Sequence, residues 1–310
     1  MAAGLLASGS ALAQTTNAFD QASNSAYTGL GAPNGLGTGG QNGGFGFGAW
    51  TFSVSGGSGG SFIQSGGPSG SSFDLWNGSA NNSTVAVRPF SSPLSAGQSF
   101  SVALRLNGLA NNLTTNRFAL EDAAGNILFS YWHWGNEPNG AVNGWYSDAT
   151  TNNGVAVNFQ YAYQSFVTFK FTLNSATSYT FTDLATGASF SGTIANAAVA
   201  KAAFIRINGN YTPGDGQDFQ FDQLQITAPG AFSFQSLVPV PNSYSAPTNS
   251  VISLNAIAGA NLLKTNSVTL TLDGGAVAPV VAGNSNALSI SYQPPAAFGY
   301  STFPTIAEPV

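Results

Sequence analysis

Short runs of alternating apolar and polar residues recur along this chain at roughly ten-residue spacing. In residues 100–106, for example, large apolar side chains occupy every second position. A period of two is the pattern of a β-strand with one buried face. Turn dipeptides such as Asn77-Gly78 separate many of the runs. The pattern predicts an antiparallel sandwich or barrel, and residues 194–201 offer the one helical candidate, of a turn or two.

The runs fall into two groups that differ in composition. Before residue 229 the predicted strands are residues 73–76, 84–90, 100–106, 117–121, 127–134, 155–161, 166–173, 179–183, 189–194, 203–207 and 219–226, preceded by a first strand pair between residues 45 and 54. After Pro229 aromatic residues become rare, and strands are predicted at residues 232–238, 251–257, 267–273, 276–281 and 287–293. We therefore predict two all-β domains, residues 15–228 and residues 229–310.

Charge and cysteine content exclude several functions. Charged residues make up 6% of the chain, and its 7 lysines and arginines are scattered singly among 12 acidic residues. Because no basic patch exists, we predict no nucleic-acid partner. The absence of cysteine excludes disulfides and cysteine-ligated metal sites. No apolar run approaches the ~20 residues of a membrane-spanning helix.

The N-terminus has the pattern of an export signal. Residues 1–13 are apolar and rich in alanine, and Ala11 and Ala13 precede Gln14 as in an A-x-A cleavage site. A basic n-region is missing and the apolar run is short, so we interpret residues 1–14 as the remnant of a signal peptide that starts upstream. The alternative is an ordinary alanine-rich N-terminus. On the first interpretation the protein is bacterial and exported, to the cell surface or the extracellular space.

Several motifs before residue 229 carry a family resemblance. They are FDLWN at residues 73–77, RPF at 88–90, LSAGQSF at 94–100 and a closing-strand pattern, FDQLQI, at 221–226. Together they resemble the concanavalin-like and laminin-G-like jelly rolls of bacterial exported proteins. The resemblance covers about half of the chain and implies a jelly-roll-like antiparallel sandwich.

The region after residue 229 has motifs of its own. They are PNSYSAP at residues 241–247, TNSVTLTLDG at 265–274 and SISYQPP at 289–295. These resemble the bacterial immunoglobulin-like (Ig-like) modules of long surface proteins, which usually end with one or two further strands. Residues 301–310 have no strand pattern, so we expect a smaller, incomplete Ig-like sandwich. Either the chain is a fragment of a longer protein, which we favour, or another chain fills the open edge.

Catalysis needs residue patterns that are missing here. Jelly-roll glycosidases of the laminarinase type carry carboxylates in an E-x-D-x-x-E run, and none of Glu121, Glu137 and Glu308 lies in such a run. Glu121 and Asp122 are adjacent, so on a strand they would point to opposite faces; more simply, they close a strand before a turn. A Ser-His-Asp triad would need the single histidine, His133, and the sequence has no G-x-S-x-G motif to supply the serine. We predict no enzymatic activity.

The aromatic stretch that begins at residue 129 is the predicted ligand site. If residues 131–134 form a strand, Trp132 and Trp134 share one face and Tyr131 and His133 share the other, and one of the two sets is core. Aromatic rings beside polar side chains suit the stacking and hydrogen bonding of sugars. The predicted binding residues are Trp132, His133, Trp134, Glu137, Trp145 and Tyr146. The alternative is that all these rings belong to the sandwich core.

Calcium is the one cofactor that the sequence suggests. Asp215, Asp218 and Asp222, with Asn208 and Asn210, offer the hard oxygen ligands that calcium prefers. The alternative is that the first of these aspartates opens a turn and the last closes a strand.

The leading hypothesis is an exported, non-catalytic binding or adhesion protein. It binds a polysaccharide or surface glycan through the jelly roll, with the Ig-like module as a spacer. The second hypothesis is a structural subunit or segment of an adhesin, surface layer or extracellular fibre, which self-assembles or continues into a longer chain. The third is a glycosidase, which the missing carboxylates disfavour.

Overall fold

The computed structural model describes residues 15–29, 36, 41–106, 114–134, 143–151, 154–159, 165–208, 218–228, 233–238, 251–257, 268, 270–272, 275–284 and 287–295. Within these ranges nearly all regular structure is β-strand, and the one helical element is a 3₁₀ turn, Ser25–Tyr27. The predicted all-β class is therefore confirmed. No helix in the same ranges is long and apolar enough to cross a membrane.

The described strands belong to two compact units, divided between Ala228 and Pro229. The strands before the division are β1 (Thr15–Asp20), β2 (Thr51–Ser55), β3 (Gly59–Ser65), β4 (Ser71–Asn77), β5 (Asn82–Pro89), β6 (Ser99–Leu106), β7 (Thr115–Glu121), β8 (Ile127–Trp134), β9 (Asn143–Ser147), β10 (Val155–Asn158), β11 (Val167–Leu173), β12 (Ser178–Asp183), β13 (Ser189–Thr193), β14 (Lys201–Asn208) and β15 (Phe219–Ala228). The strands after it are β16 (Ser233–Val238), β17 (Ile252–Ile257), β18 (Leu270–Leu272), β19 (Gly275–Val277), β20 (Val280–Asn284) and β21 (Ala287–Tyr292).

The larger unit is a sandwich of two antiparallel sheets. An eight-stranded sheet has the order β13-β12-β11-β6-β15-β4-β3, with β1 also paired to β15. A seven-stranded sheet has the order β10-β9-β8-β7-β14-β5-β2. Strands distant in sequence are neighbours in both sheets; β14, for example, lies between β5 and β7.

Aromatic rings from the two sheets form the core between them. Phe204 of the seven-stranded sheet stacks on Phe221 of the eight-stranded sheet, with ring centroids 3.7 Å apart and planes within 4°. Farther along the sandwich, Phe129 contacts Phe171 and Phe181 at centroid distances of 5.2 and 4.8 Å. Period-two alternation produces this core, because each strand turns every second side chain inward.

Two sequence-based expectations are corrected by the structure. Residues 194–201 are not helical. Val199 and Ala200 accept backbone hydrogen bonds from Leu94 and Phe90, and these bonds to a distant segment replace those of a helix. Residues 45–54 do not form a strand pair with each other. Instead β2 pairs with β5, whereas the aromatic residues at 45 and 47 make isolated bridges to β1 and to the residue after β5.

The smaller unit contains a four-stranded antiparallel sheet, β16-β17-β21-β20, and a two-stranded hairpin of β18 and β19. Leu254, Ala256, Leu288 and Ile290 form its buried cluster. One predicted strand, residues 276–281, is divided between β19 and β20, because Pro279 lacks the N–H that a continuous ladder needs. The Ig-like assignment of this unit stays a prediction.

Candidate functional site

The aromatic segment of β8 presents two different faces, as its alternation predicts. Tyr131 and His133 point into the sandwich core, where the Tyr131 hydroxyl lies 2.9 Å from His133 Nε2. His133 is 0% exposed, so it cannot meet a ligand at the surface. Trp132 lies between them on the opposite, outer face of the seven-stranded sheet.

Cross-strand register places Trp132 in a row that runs across the whole sheet. This row, which we call the outer row, consists of Ser53, Val85, Ile205, Arg117, Trp132, Trp145 and Ala156. It lies on the face turned away from the eight-stranded sheet, because the alternate residues, such as Phe118 and Phe204, form the core.

Trp132 and Trp145 are directly opposite each other on β8 and β9. Trp145 is partly exposed, whereas Trp132 is 4% exposed. Gly154 covers one edge of Trp132: it has φ +79°, and a Cβ there would lie 2.7 Å from Trp132 Cζ2. A glycine is therefore needed at this turn for both conformational and steric reasons.

Arg117 is the one charged residue of the outer row. Its guanidinium carbon lies 4.9 Å from the centroid of the Trp132 ring, a cation–π contact. Burial, with no contribution from a neighbouring charge, lowers the pKa of the guanidinium below its usual value. Its Nε is buried and has no hydrogen-bond partner in the described part of the chain.

Of the remaining predicted binding residues, only Tyr146 has a side chain in the described part of the chain. Tyr146 pairs with Tyr131 on the inner side of the sheet and packs against Phe190, with ring centroids 4.1 Å apart. Trp134 is paired with Thr115 at the end of β8, and its side chain lies outside the described residues, as does all of Glu137. The structure thus brings Trp132 and Trp145 together and separates both from His133 and Tyr146.

The predicted calcium ligands do not converge in the described part of the chain. Asp222 is fully buried and accepts backbone N–H groups from Ala22, at 2.8 Å, and Ser69, at 2.9 Å. Its carboxylate thereby holds two loops against β15, at a bulge in that strand. Asp218 is partly exposed, and Asp215 lies outside the described residues. Among the residues described, no group of three or more acidic or histidine side chains could hold a metal ion.

A second acidic residue, absent from the predicted set, lies near Asp218. Asp74 is fully buried on β4, and Gln220 Nε2 donates to its Oδ2 at 2.9 Å. Burial, followed by the negative charge of Asp218, raises the pKa of the Asp74 carboxyl well above its usual range. Both effects favour the neutral form of this carboxyl.

The adjacent carboxylates at the end of β7 have the structural role that the sequence indicates. Glu121 ends the strand, and Asp122 accepts hydrogen bonds from the backbone N–H of Asn126, at 2.9 Å, and from its side-chain Nδ2, at 2.8 Å. Asp122 therefore closes the hairpin turn between β7 and β8, and the prediction of a turn at this position is confirmed.

Arg117, Val85 and Ile205 belong to the outer face but not to the predicted set. Each lies in a recognisable period-two run, so the side of the strand that it faces can be predicted from the sequence. Their position beside the tryptophans depends on β14 lying between β5 and β7, which no local pattern reveals.

Known proteins resemble this chain in structure but not in sequence: no protein-family profile and no curated sequence matches it. A carbohydrate esterase of the Shiga toxin-encoding bacteriophage phi24B is 18% identical over 70% of this chain and 99% of its own, with a TM-score of 0.42. A galectin-like protein of unknown function from Bacillus subtilis is 9% identical over 58% of this chain and 90% of its own, with a TM-score of 0.37. A family 11 carbohydrate-binding module from Clostridium thermocellum is 13% identical over 59% of this chain and 89% of its own, with a TM-score of 0.31. Identities and TM-scores this low do not assign the chain to a family.

Proposed function

We propose that this chain is an exported, non-catalytic protein that binds polysaccharide on the outer face of its seven-stranded sheet. The observation that carries the proposal is the pairing of Trp145, which is partly exposed, with Trp132 on the adjacent strand. Side chains directly opposite on neighbouring strands lie about 5 Å apart at Cβ. The two indoles form a platform in which Trp145 presents its partly exposed ring to the apolar face of a pyranose, and Trp132, which is only 4% exposed, supports it from the neighbouring strand.

The rest of the outer face supports a binding role. Val85 and Ile205 continue the outer row on its far side, and both are partly exposed. Partly exposed apolar side chains on both sides of Arg117 favour an interaction surface on this face. Next to the tryptophans, the Ser147 hydroxyl is partly exposed and lies 3.0 Å from that of Ser130, which gives sugar hydroxyls a hydrogen-bonding partner.

The experiment that tests the proposal measures binding of the full chain to a panel of neutral and acidic polysaccharides. Trp145→Ala is the test variant, since a partly exposed ring can be removed with little loss of stability. Trp76→Ala is the matched control: Trp76 is also partly exposed and lies on the outer face of the other sheet. Loss of binding in Trp145→Ala alone supports the proposal, and equal binding by both variants overturns it.

Export, the absence of catalysis and a spacer role for the smaller unit are parts of the same proposal. Calcium binding by Asp215, Asp218 and Asp222 also stays a prediction. Because two backbone amides engage Asp222, a bound ion would depend chiefly on the other two aspartates. A calcium-dependent rise in the unfolding temperature that Asp218→Asn removes would support such a site.

Assembly through the smaller unit is the second candidate function. β20 pairs with β21 along one edge, and no strand of the described part pairs with its other edge. Val280 at its start is 68% exposed. An open edge with exposed apolar residues is a template for another copy of the same strand. Light scattering that shows concentration-dependent growth, suppressed by Val280→Lys, would favour this function, whereas a monomer at all concentrations would exclude it.

A further inference from the structure

We propose that the polysaccharide bound by the outer row is acidic and that Arg117 binds its carboxylate or sulfate groups. This inference rests on the proposed function and specifies its ligand. Arg117 lies two strands from Trp145 in the row, with Trp132 between them, so a polysaccharide that stacks on Trp145 and follows the row brings its substituents within reach of the guanidinium.

Among the described residues, no acidic side chain lies directly beside Arg117 on the outer face. Its direct cross-strand neighbours are Ile205 and Trp132. The next residues on the same face of those two strands are Ala203, Ile207, Ser130 and Trp134, none of which is acidic. Burial alone accounts for the lowered pKa of Arg117, which is what a cation without a carboxylate partner shows.

Arg117 differs in this respect from Arg88, a second arginine of the sandwich that contacts a tryptophan. Arg88, which lies over Trp50, is paired with Asp20 at 2.9 Å. Structural arginines that lose solvent are normally compensated in this way, by a carboxylate and several hydrogen bonds. Arg117 is partly exposed and has no carboxylate partner among the described residues, so a carboxylate or sulfate from a ligand can take that place.

The geometry of the side chain suits an oxyanion. The positive charge of Arg117 lies above the Trp132 ring, and this cation–π contact uses none of the N–H donors of the guanidinium. The Nε of Arg117 is itself buried, so a ligand at this partly exposed side chain would meet the two terminal NH2 groups of the guanidinium. A planar guanidinium binds a carboxylate with two parallel hydrogen bonds, which a neutral hydroxyl cannot match.

The net charge of the chain cannot itself attract an acidic polymer. With 12 acidic residues against 7 lysines and arginines, the protein carries a formal charge of −5. A polyanion is repelled by the molecule as a whole, so attraction has to come from a local cation. Preference for an acidic polymer over its neutral counterpart is thus a property of the site and not of the bulk charge.

The test compares polymers that differ in charge but not in backbone. Full-length protein is titrated with polygalacturonate and with the same polymer fully methyl-esterified, and in a second arm with dextran sulfate and dextran. We expect the wild type to bind one acidic polymer at least tenfold more tightly than its neutral counterpart, since hydrogen bonds to charged groups contribute that much. The arm in which the preference occurs identifies carboxylate or sulfate as the group that is bound.

Three variants locate the effect. Arg117→Gln is expected to abolish the preference. Lys170→Gln, which removes one positive charge from a partly exposed position of β11 in the other sheet, is expected to keep it. Arg117→Lys retains the charge but not the planar fork, so a reduced preference is expected. Arg117→Gln should still bind the neutral polymer as the wild type does, which shows that this variant is folded.

Two results would overturn the inference, and they are distinguishable. If Trp145→Ala loses binding while the wild type and Arg117→Gln bind charged and neutral polymers equally, the binding face stands and the acidic ligand is wrong. If no polymer binds the wild type, or Trp145→Ala binds as the wild type does, the proposed function fails and this inference fails with it.

Discussion

Asp20 and Arg88 form an ion pair of 2.9 Å between two side chains that are both 0% exposed, and the pair joins the two sheets of the sandwich. Asp20 ends β1, which pairs with the eight-stranded sheet, and Arg88 lies in β5 of the seven-stranded sheet. Tyr27 donates its hydroxyl to Asp20 at 2.7 Å and accepts from Trp50 Nε1 at 3.1 Å. Arg88 also donates to the carbonyl oxygens of residues 43 and 48. The network therefore fixes the N-terminal segment to the core.

Breaking this pair should strongly destabilise the sandwich. Asp20→Ala leaves the Arg88 guanidinium buried without its counter-charge, and we expect the free energy of unfolding to fall by about 3–5 kcal/mol. Urea denaturation followed by tryptophan fluorescence measures the change. The double variant Asp20→Ala/Arg88→Met should be more stable than Asp20→Ala, because no unpaired charge remains buried. A single variant as stable as the wild type would contradict the structural role of the pair.

The same pair predicts how stability depends on pH. Burial raises the pKa of Asp20 from 3.8 to about 6, although Arg88 and the Tyr27 hydroxyl both act to lower it. Between these two values the folded protein holds a proton that the unfolded chain has released, so this contribution to stability is present below pH 4 and is lost as the pH rises to 6. The loss is on the order of 3 kcal/mol.

Asp20→Asn isolates the contribution of this one group. The variant has no proton to exchange, so the difference in unfolding free energy between wild type and variant should decrease from pH 4 to pH 6. Above about pH 7 it should be constant, with Asp20 ionised and paired to Arg88. A difference that is flat across the whole range would show that Asp20 titrates in the folded protein as it does in the unfolded chain.

Local sequence patterns encode the direction of side chains along a strand but not the order of strands in a sheet. Alternation predicts most strands, though not β1, β3 or β9, and it predicts the two faces of β8, because side-chain direction follows directly from the period. It does not predict that Arg117 and Ile205 become neighbours of Trp132, since the order of strands depends on pairings between distant segments. The buried Asp20–Arg88 pair is missed for the same reason: each charge looks isolated in the sequence.

Gly154 should prove essential to the tryptophan platform. Alanine at this position would be strained by the φ of +79° and would also place its Cβ against the Trp132 ring. Gly187→Ala is the matched control, with φ +76° and no atom within 4 Å of the added Cβ. We expect Gly154→Ala to lose at least about 1 kcal/mol more stability than Gly187→Ala, which is the contribution of overpacking alone. Equal losses would mean that the Trp132 ring moves aside freely.

Replacing either tryptophan of the platform with alanine should abolish binding, but the two substitutions should differ in how much they lower the free energy of unfolding. Trp132 is 4% exposed, so Trp132→Ala should lower the free energy of unfolding by about 3–5 kcal/mol. Trp145 is partly exposed, and Trp145→Ala should lower it by about 1 kcal/mol or less. Polysaccharide binding at a temperature where both variants are folded should be lost in each. If Trp145→Ala is as destabilised as Trp132→Ala and still binds, both rings serve the fold, and the sugar site lies elsewhere.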